Sequence, residues 1–395
     1  MTANKLQAVA AAFLLSAATL GAGALLATVP AYAQGLRPEV GTPLQAAEAA
    51  AAKGDYKTAL DDVSKAEAVS NKTSAESSAI AQVKQYVGAK SGDVSIGGAA
   101  AGKTKLANDY NAKSYAAVIA DGDALKKAGA LDAASAQVVA QSYYLSGNKA
   151  GCIKYVKGLG DADETTLQLQ MKCAYDTNDD ADQRDALEQL VARTGKADYW
   201  TQLLKMADQT KGLTDHQSLD IYRIKYLTGT LASKDDYINM AQLDLQLGFP
   251  QEASAVLDKG TAAGLLNDDR SKKLQALAKQ QAGQTAGGQA AALAGAKDGD
   301  AMIKVAEQQA GAGNAKDAVT TAKAAIAKSP KDKDQAAIVL GWAQVASGQG
   351  SDAVKTLNAD KGDGTGPMIT HLYAIYAAHP GAGAAAAEAP AKKKK

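Results

Sequence analysis

The chain has 395 residues, of which 46% are hydrophobic and 22% are charged. This balance fits a folded globular or repeat protein and excludes a chain that is disordered throughout. The formal net charge at pH 7 is +1, so bulk electrostatics give no reason to expect a nucleic acid partner. Aromatic residues make up only 5% of the chain, which suits a thin core of Ala and Leu between closely packed helices.

The first 33 residues have the parts of a secretory signal. Lys5 supplies a positive charge, an apolar run covers residues 8–29, and residues 31–33 (AYA) match the small-x-small pattern of a cleavage site. The alternative is an uncleaved membrane anchor, because the run is long enough to span a bilayer. Pro30 and the Thr, Ser and Gly residues within the run favour cleavage after Ala33. We therefore expect a periplasmic or secreted protein that is not an integral membrane protein once the signal is removed.

A short pattern recurs along the rest of the chain: a small residue, a Gly seven positions later, and a second small residue five positions after the Gly. The first copy is Ala47, Gly54 and Ala59, around the stretch KGDYKTAL. Gly54 can adopt the left-handed conformation that ends one helix, and Asp55 can cap the next. Small residues at the other two positions let the two helices approach closely. The pattern therefore predicts a helical hairpin.

Further copies of this pattern follow in the chain, and a partial copy lies at Ala81 and Gly88. A period of roughly 34 residues with a helix–turn–helix unit is the signature of the tetratricopeptide repeat. The full copies are Ala140–Gly147–Cys152, Ala241–Gly248–Ala253, Ala306–Gly313–Ala318 and Gly341–Gly348–Ala353.

At these stretches the chain resembles the tetratricopeptide-repeat family, and more narrowly its divergent exported members in Gram-negative bacteria. The resemblance runs from about Pro43 to Ala378. It implies an all-α, right-handed solenoid of about eight to ten helical hairpins, which binds a protein or peptide partner and is not an enzyme. Pro330 matches the repeat-ending proline, and the segments that carry the resemblance are AQSYYLSGNKAGC, AQLDLQLGFPQEASAVL, AEQQAGAGNAKDAVTTAKAAIAKSP and LGWAQVASGQGSDAVKTL.

Composition divides the mature chain into a long array, a junction and a shorter module. We expect an N-terminal helical array over residues 34–281 and a C-terminal module over residues 300–379. Between them, residues 282–299 (AGQTAGGQAAALAGAKDG) are poor in large apolar side chains, so they form either a flexible linker or one short Ala helix. The tail, residues 380–395, has no apolar face to bury and is expected to be disordered. Residues 91–102 are Gly-rich and are expected to form a loop.

One segment matches the phosphate-binding pattern G-x-x-x-x-G-K-T. It covers Gly97–Thr104, with Lys103 in the position that contacts phosphates. Such a loop follows a strand, but residues 93–96 are a weak strand candidate and no strand–helix alternation follows. We therefore expect a Gly-rich loop between repeats, and keep nucleotide binding at this segment as a remote alternative.

No other motif indicates a cofactor or metal site. Residues 176–182 begin like a calcium-binding loop, but Ala181 stands where that loop needs Gly and Leu187 where it needs Glu. The three histidines lack the spacing of a metal site. We therefore expect a helix-capping loop at residues 176–182, with no metal, cofactor or catalytic residue.

Cys152 and Cys173 are the only cysteines. Export to an oxidising compartment would allow a disulfide between them. Both residues also suit small positions in the core, so the sequence leaves a disulfide and two packed thiols open.

In a stack of hairpins, the first helices line a concave surface. Their side chains that do not pack on a neighbouring helix are candidates to bind an extended peptide or a partner helix, although Tyr144 and Trp342 suit the core equally well. By repeat spacing, the candidates are Glu48, Gln141, Tyr144, Lys205, Gln242, Gln246, Glu307 and Trp342.

The sequence therefore predicts an exported scaffold for protein–protein interaction. The alternative is a cell-wall or carbohydrate-binding protein of the periplasm, which would use the same groove together with the basic end, residues 392–395.

Overall fold

The structure is a computed structural model that describes residues 36–359 and 364–379. The predicted signal, residues 1–33, and the predicted tail, residues 380–395, lie outside the described residues. The secondary structure elements of the described part are twenty α-helices. Within that part, no helix combines the length and the apolar character that a membrane crossing requires. The chain divides into two compact units, one ending at Asp180 and the other beginning at Ala181.

The first unit is a series of antiparallel helices in which each helix packs against the next. Contacts between helices two apart extend the series: α1 also packs on α3, α4 on α6, and α6 on α8. The helices are α1 (Pro38–Ala52), α2 (Tyr56–Glu67), α3 (Ser74–Ser91), α4 (Val94–Asn111), α5 (Tyr115–Lys127), α6 (Ala133–Leu145), α7 (Lys149–Lys157) and α8 (Glu164–Asp176). The next helix, α9 (Asp180–Thr194), belongs to the second unit except for its first residue.

In the second unit most consecutive helices also pack on each other, and the last helix returns to an early one. α16 packs on α18, and α20 packs both on α18 and on α11. The helices are α10 (Ala197–Asp208), α11 (Asp215–Leu227), α12 (Lys234–Leu247), α13 (Pro250–Ala262), α14 (Asp269–Thr285), α15 (Gln289–Gly295), α16 (Gly299–Gly311), α17 (Ala315–Ile326), α18 (Lys333–Ala346), α19 (Gly350–Leu357) and α20 (Thr365–Ala378).

The repeated pattern of the sequence marks the hairpin turns, as predicted. The central glycine of every full copy has a left-handed backbone, with φ of 81° at Gly54 and 83° at Gly313. The alanines and the cysteine of the pattern are fully buried. At Gly341 a Cβ atom would lie 2.5 Å from Cγ of Leu357, so the absence of a side chain there allows close packing of α18 on α19. The chain is therefore built from the helical hairpins that the pattern predicts.

The partial copy of the pattern does not mark a turn. Ala81 is exposed, and Gly88 is buried inside α3, which continues to Ser91. The left-handed residue that ends this helix is Gly92, with φ of 71°. The prediction of a turn at Gly88 was wrong because Gly88, like Val83 and Val87 before it, lies on the buried face of α3.

The Gly-rich loop predicted at residues 91–102 is also wrong, because α4 begins at Val94. The helix bends at Gly98, whose φ is 69° and whose ψ is −176°. The run of three alanines that follows has high helix propensity. Ala101 and Leu106 are buried, so packing adds to that propensity and outweighs the glycines.

The predicted junction at residues 282–299 lies inside the second unit rather than between two domains. It contains the end of α14 and the short helix α15, which agrees with the alternative of a short Ala helix. Hydrogen bonds tie this part of the chain to its neighbours. The Gln251 Nε2 amide donates to Oγ1 of Thr285 at 2.7 Å, and the Gln289 Nε2 amide donates to the backbone oxygen of Gln308 at 3.3 Å.

Two glycines test the assignment of the turns. Gly313 is left-handed, and a Cβ atom there would meet nothing within 4 Å. Gly313→Ala should therefore lower the free energy of unfolding by about 1 kcal/mol through backbone strain alone. The matched control is Gly283→Ala in α14, where a Cβ atom also meets nothing within 4 Å. This control should raise the free energy of unfolding by up to about 1 kcal/mol, because Ala favours a helix. Urea denaturation measures both, and equal effects would contradict the assignment.

Candidate functional site

A buried arginine joins three helices of the second unit. Arg223 on α11 is 1% exposed. Its Nε and Nη2 atoms donate to the two carboxylate oxygens of Glu252 on α13, at 2.9 and 2.7 Å. Its Nη1 atom donates to Asp220 at 2.9 Å and also to Glu307 on α16. Such a bidentate, charge-assisted contact fixes the positions of both groups.

Aromatic residues surround the same guanidinium group. Its Cζ atom lies 4.6 Å from the centroid of the Trp342 ring and 5.1 Å from that of Phe249. Both distances are within the range of a cation–π interaction. The Tyr373 hydroxyl on α20 donates to the backbone oxygen of Asp220 at 3.3 Å. Helices α18 and α20 therefore meet α11 at this point, which accounts for the return of the last helix.

Carboxyl groups outnumber cations in this cluster. Four acidic residues, Asp220, Asp244, Glu252 and Glu307, face the single guanidinium group of Arg223. Burial raises the pKa of Asp220 to about 6, and burial together with the charge of Glu252 raises the pKa of Asp244 well above its usual value. Among the described residues, no donor bonds to either carboxyl oxygen of Asp244. Burial therefore favours the protonated form of Asp244.

His216 connects the buried cluster to the surface. Its Nε2 atom lies 2.6 Å from Oε1 of Glu307, and its ring stacks on Phe249 with centroids 6.1 Å apart. Burial tends to lower the pKa of His216, but the hydrogen bond and the charge of Glu307 outweigh burial and raise it. Burial tends to raise the pKa of Glu307, but the positive charge of Arg223 and the bond to His216 outweigh it and lower it. Glu307 is therefore a buried carboxylate at neutral pH.

A pocket of about 360 Å³ lies beside His216 and Glu307. We call it the Glu307 pocket. It is bounded by α11, the turn between α12 and α13, α16, and the segment that leads into α18. Its apolar wall consists of Leu247, Phe249, Ile303 and Pro330, and its polar wall of His216, Asp300, Lys304, Glu307, Lys331, Asp332 and Gln335.

The groove residues predicted in the second unit do not form one row. Trp342 is 8% exposed and packs on Arg223, so it belongs to the core rather than to an open groove. Glu307 is buried in the same cluster. Lys205 and Gln242 are exposed, and the Gln246 Nε2 amide donates to Oδ2 of Asp215 at 2.6 Å. Trp342 differs from the prediction because α18 packs against the buried charge of α11.

Two of the three groove residues predicted in the first unit, Gln141 and Tyr144, lie on α6. The Tyr110 hydroxyl donates to Oε1 of Gln141 at 2.9 Å. The Tyr144 hydroxyl donates to Oδ2 of Asp176 on α8 at 3.0 Å, and the Lys149 ammonium lies 3.0 Å from the centroid of the Tyr144 ring. Glu48, on α1, is half-buried.

Tyr144 lies beside a second tyrosine, Tyr175 on α8. The Lys172 ammonium lies 5.7 Å from the centroid of the Tyr144 ring and 5.9 Å from that of Tyr175. Tyr175 is 51% exposed, which makes it one of the few large exposed hydrophobic residues. We call Tyr144, Lys149, Lys172 and Tyr175 the tyrosine–lysine surface.

The two cysteines form a disulfide. Cys152 on α7 and Cys173 on α8 have their Cα atoms 6.5 Å apart, and neither residue is exposed. The bond joins consecutive helices of the first unit at one of the small positions of the repeat pattern.

The segment that matches the phosphate-binding pattern is helical. Gly97–Thr104 lies within α4, where the Thr104 hydroxyl donates to the backbone oxygen of Ala100 at 2.9 Å. The Lys103 ammonium pairs with the Asp132 carboxylate at 2.7 Å. A phosphate-binding loop needs free backbone N–H groups and a lysine directed at the phosphates. The segment therefore matches the motif in sequence but does not have the backbone geometry of a phosphate-binding loop.

The calcium-like stretch does not have the features of a metal loop either. The Asp176 carboxylate accepts hydrogen bonds from Tyr144 and Lys172, and Leu187 is buried. Over residues 36–359 and 364–379, no three His, Cys, Asp or Glu side chains are grouped as a metal site would require.

Arg223, Asp220, Asp244 and Glu252 were not predicted as site residues, and Glu307 was predicted only as a groove residue. One signal was available: Arg223 lies four residues after Leu219 and between Ile221 and Ile224, on a helix whose apolar residues are buried. A charge on an apolar helix face needs a buried partner. The partners themselves lie 29 and 84 residues further along the chain, where no local pattern indicates them.

No protein-family model matches the chain, and no curated protein matches it. Its fold is similar to solved helical-repeat structures. One is the tetratricopeptide-repeat domain of P58(IPK), at 11% identity over 85% of this chain and 78% of that chain, with a TM-score of 0.23. Another is the APC/C hetero-tetramer Cut9–Hcn1, at 10% identity over 86% of this chain and 72% of that chain, with a TM-score of 0.19.

A third is the pentatricopeptide repeat protein PPR10 in complex with an 18-nucleotide psaJ RNA element, at 11% identity over 87% of this chain and 62% of that chain, with a TM-score of 0.19. These TM-scores are below 0.5, so the solved structures do not define the fold of this chain. Its own helices do. Those helices form consecutive antiparallel hairpins with left-handed glycines at the turns and small residues at the close contacts. The described part of the protein is an all-α array of consecutive helical hairpins.

Proposed function

We propose that the protein is exported to the cell envelope and acts there as a non-catalytic scaffold that binds another protein. The observation that carries this proposal is the tyrosine–lysine surface of the first unit. Export is supported by the signal-like residues 1–33, and binding by an array of hairpins, which presents side chains of successive helices on one surface.

The tyrosine–lysine surface has the composition of a protein-binding site. Tyrosine supplies a large, rigid contact area with few torsions to fix, and it is enriched in protein interfaces. Tyr144 and Tyr175 come from α6 and α8, two helices that pack on each other, with Lys149 and Lys172 beside their rings. An extended peptide or a partner helix could contact both rings at once.

Site-specific photo-crosslinking in the cells that make the protein tests this proposal. A photoreactive phenylalanine analogue replaces Tyr175, and in a matched control it replaces Leu277, which is 43% exposed on α14. We expect one discrete protein adduct from position 175 and none from position 277, in an envelope fraction. Adducts of the same pattern from both positions, or none from either, would count against the proposed surface.

A further inference from the structure

The Glu307 pocket carries charges of both signs on one helix face. Asp300, Ile303, Lys304 and Glu307 follow the spacing i, i+3, i+4 and i+7, so they lie on the same side of α16. The helical rise places Asp300 and Glu307 about 10 Å apart along the axis. An ammonium and an apolar side chain therefore lie between two carboxylates, over a length that suits a small dipolar molecule.

The inner end of the pocket is negative. Glu307 is 1% exposed, and its Oε1 atom already accepts from His216 and Arg223. A carboxylate has room for further donors. Behind it, the buried cluster contains Asp220, Asp244 and Glu252 beside the one guanidinium group of Arg223, and burial is the main cause of the raised pKa values of Asp220 and Asp244. A cationic group placed next to Glu307 would therefore be stabilised.

The rim supplies cations. Lys304 and Lys331 are exposed there. The Lys304 ammonium reaches across the mouth, 3.6 Å from where a Cβ atom of Gly248 would lie. The two rim carboxylates already accept backbone N–H groups, Asp300 from Lys331 at 2.7 Å and Asp332 from Gln335 at 2.9 Å. The rim therefore carries two exposed ammonium groups beside two carboxylates that each accept a backbone N–H group.

One buried side chain of the wall lacks a partner. Gln335 is 7% exposed, and within the described part of the chain its Nε2 amide donates to no acceptor. A buried donor without an acceptor is unfavourable. A ligand oxygen in the pocket would supply the acceptor.

We propose that the Glu307 pocket binds a free α-amino acid with an apolar side chain. Its ammonium contacts Glu307, its carboxylate faces Lys304, Lys331 and the Gln335 amide, and its side chain packs on the apolar wall. The volume of about 360 Å³ accommodates a molecule of this size. This site is separate from the proposed protein-binding surface, and neither proposal rests on the other.

Calorimetric titration of the purified protein with L-leucine tests this inference. N-acetyl-L-leucine lacks the ammonium, and L-leucine methyl ester lacks the carboxylate. We expect saturable binding of L-leucine and binding at least about tenfold weaker for each blocked derivative, because each loses one charge-assisted contact. Equal binding of all three, or no saturable heat with L-leucine, would overturn the proposal. Tighter binding of a peptide with an N-terminal leucine would overturn the assignment to a free amino acid.

Variants at the rim locate the binding. Lys304→Gln and Lys331→Gln replace exposed side chains and should leave the helix content unchanged. Each should weaken L-leucine binding about three- to tenfold. The control is Lys355→Gln, an exposed lysine on α19 that does not line the pocket. An equal effect of all three substitutions would place any binding outside the Glu307 pocket.

Discussion

Replacing Arg223 by Met should lower the free energy of unfolding by about 3–5 kcal/mol, because it leaves buried carboxylates without their cation. Arg223 is 1% exposed and contacts Asp220, Glu252 and Glu307. Methionine fills part of the volume of the arginine side chain. The lost free energy of unfolding therefore comes more from the missing charge than from a cavity. Urea denaturation followed by circular dichroism measures it.

Two controls separate the charge from the side-chain volume. Arg270→Met replaces an exposed arginine on α14 and should change the free energy of unfolding by less than about 0.5 kcal/mol. Adding Glu252→Gln and Glu307→Gln to Arg223→Met removes two unpaired charges and should recover part of the loss. No recovery would mean that packing, and not the unpaired carboxylates, causes the instability.

Acidification gives the same test a second readout. Carboxyl groups whose pKa is raised by folding bind protons more tightly in the folded state, so the stability they contribute is complete at low pH and falls as pH rises through the raised pKa. Asp220 already behaves in this way, with a pKa raised by burial to about 6. In Arg223→Met, Glu307 loses the positive charge that lowers its pKa, and it joins this group. The difference in the free energy of unfolding between the variant and the wild type should therefore become smaller as pH falls from 7 to 5.

Reducing the Cys152–Cys173 disulfide should lower the free energy of unfolding of the first unit by about 3 kcal/mol. The two residues are 21 positions apart, and opening a loop of that length raises the entropy of the unfolded chain by about this amount. Denaturation with and without a reductant measures it. The double variant Cys152→Ala/Cys173→Ala should be insensitive to the reductant. A wild-type midpoint that is also unchanged by the reductant would contradict the prediction.

Much of the fold could be predicted from the sequence because its signals are local. A left-handed glycine, a capping residue and two small positions lie within thirteen residues, as in Ala47, Gly54, Asp55 and Ala59. The Asp55 side chain accepts from the Thr58 N–H group, as the prediction of a cap requires. Local composition misled the prediction at α4, where glycines suggested a loop but a run of alanines and the burial of Ala101 and Leu106 favoured a helix.

The candidate sites depend on contacts that are distant along the chain. Tyr144 was predicted from its place in the repeat, but Tyr175 joins it only because α6 and α8 pack together. Trp342 was predicted as a groove residue and lies in the core, because Arg223 is its neighbour. Asp244 and Glu252 lie on the two sides of one hairpin turn. The turn does not indicate that their carboxyl groups meet, because every hairpin of the array has such a turn.

The most direct test of the proposed function is crosslinking of the tagged protein in its own cells, followed by mass spectrometry of what is attached. The wild type is compared with Leu145→Ala/Tyr175→Ala, which removes two exposed side chains near the tyrosine–lysine surface, and with Leu277→Ala/Ile326→Ala, which removes two exposed side chains elsewhere. We predict one dominant envelope protein on the wild type and the second variant, and its loss from the first. Glycan fragments without protein, or an attached protein that the first variant retains, would contradict the account.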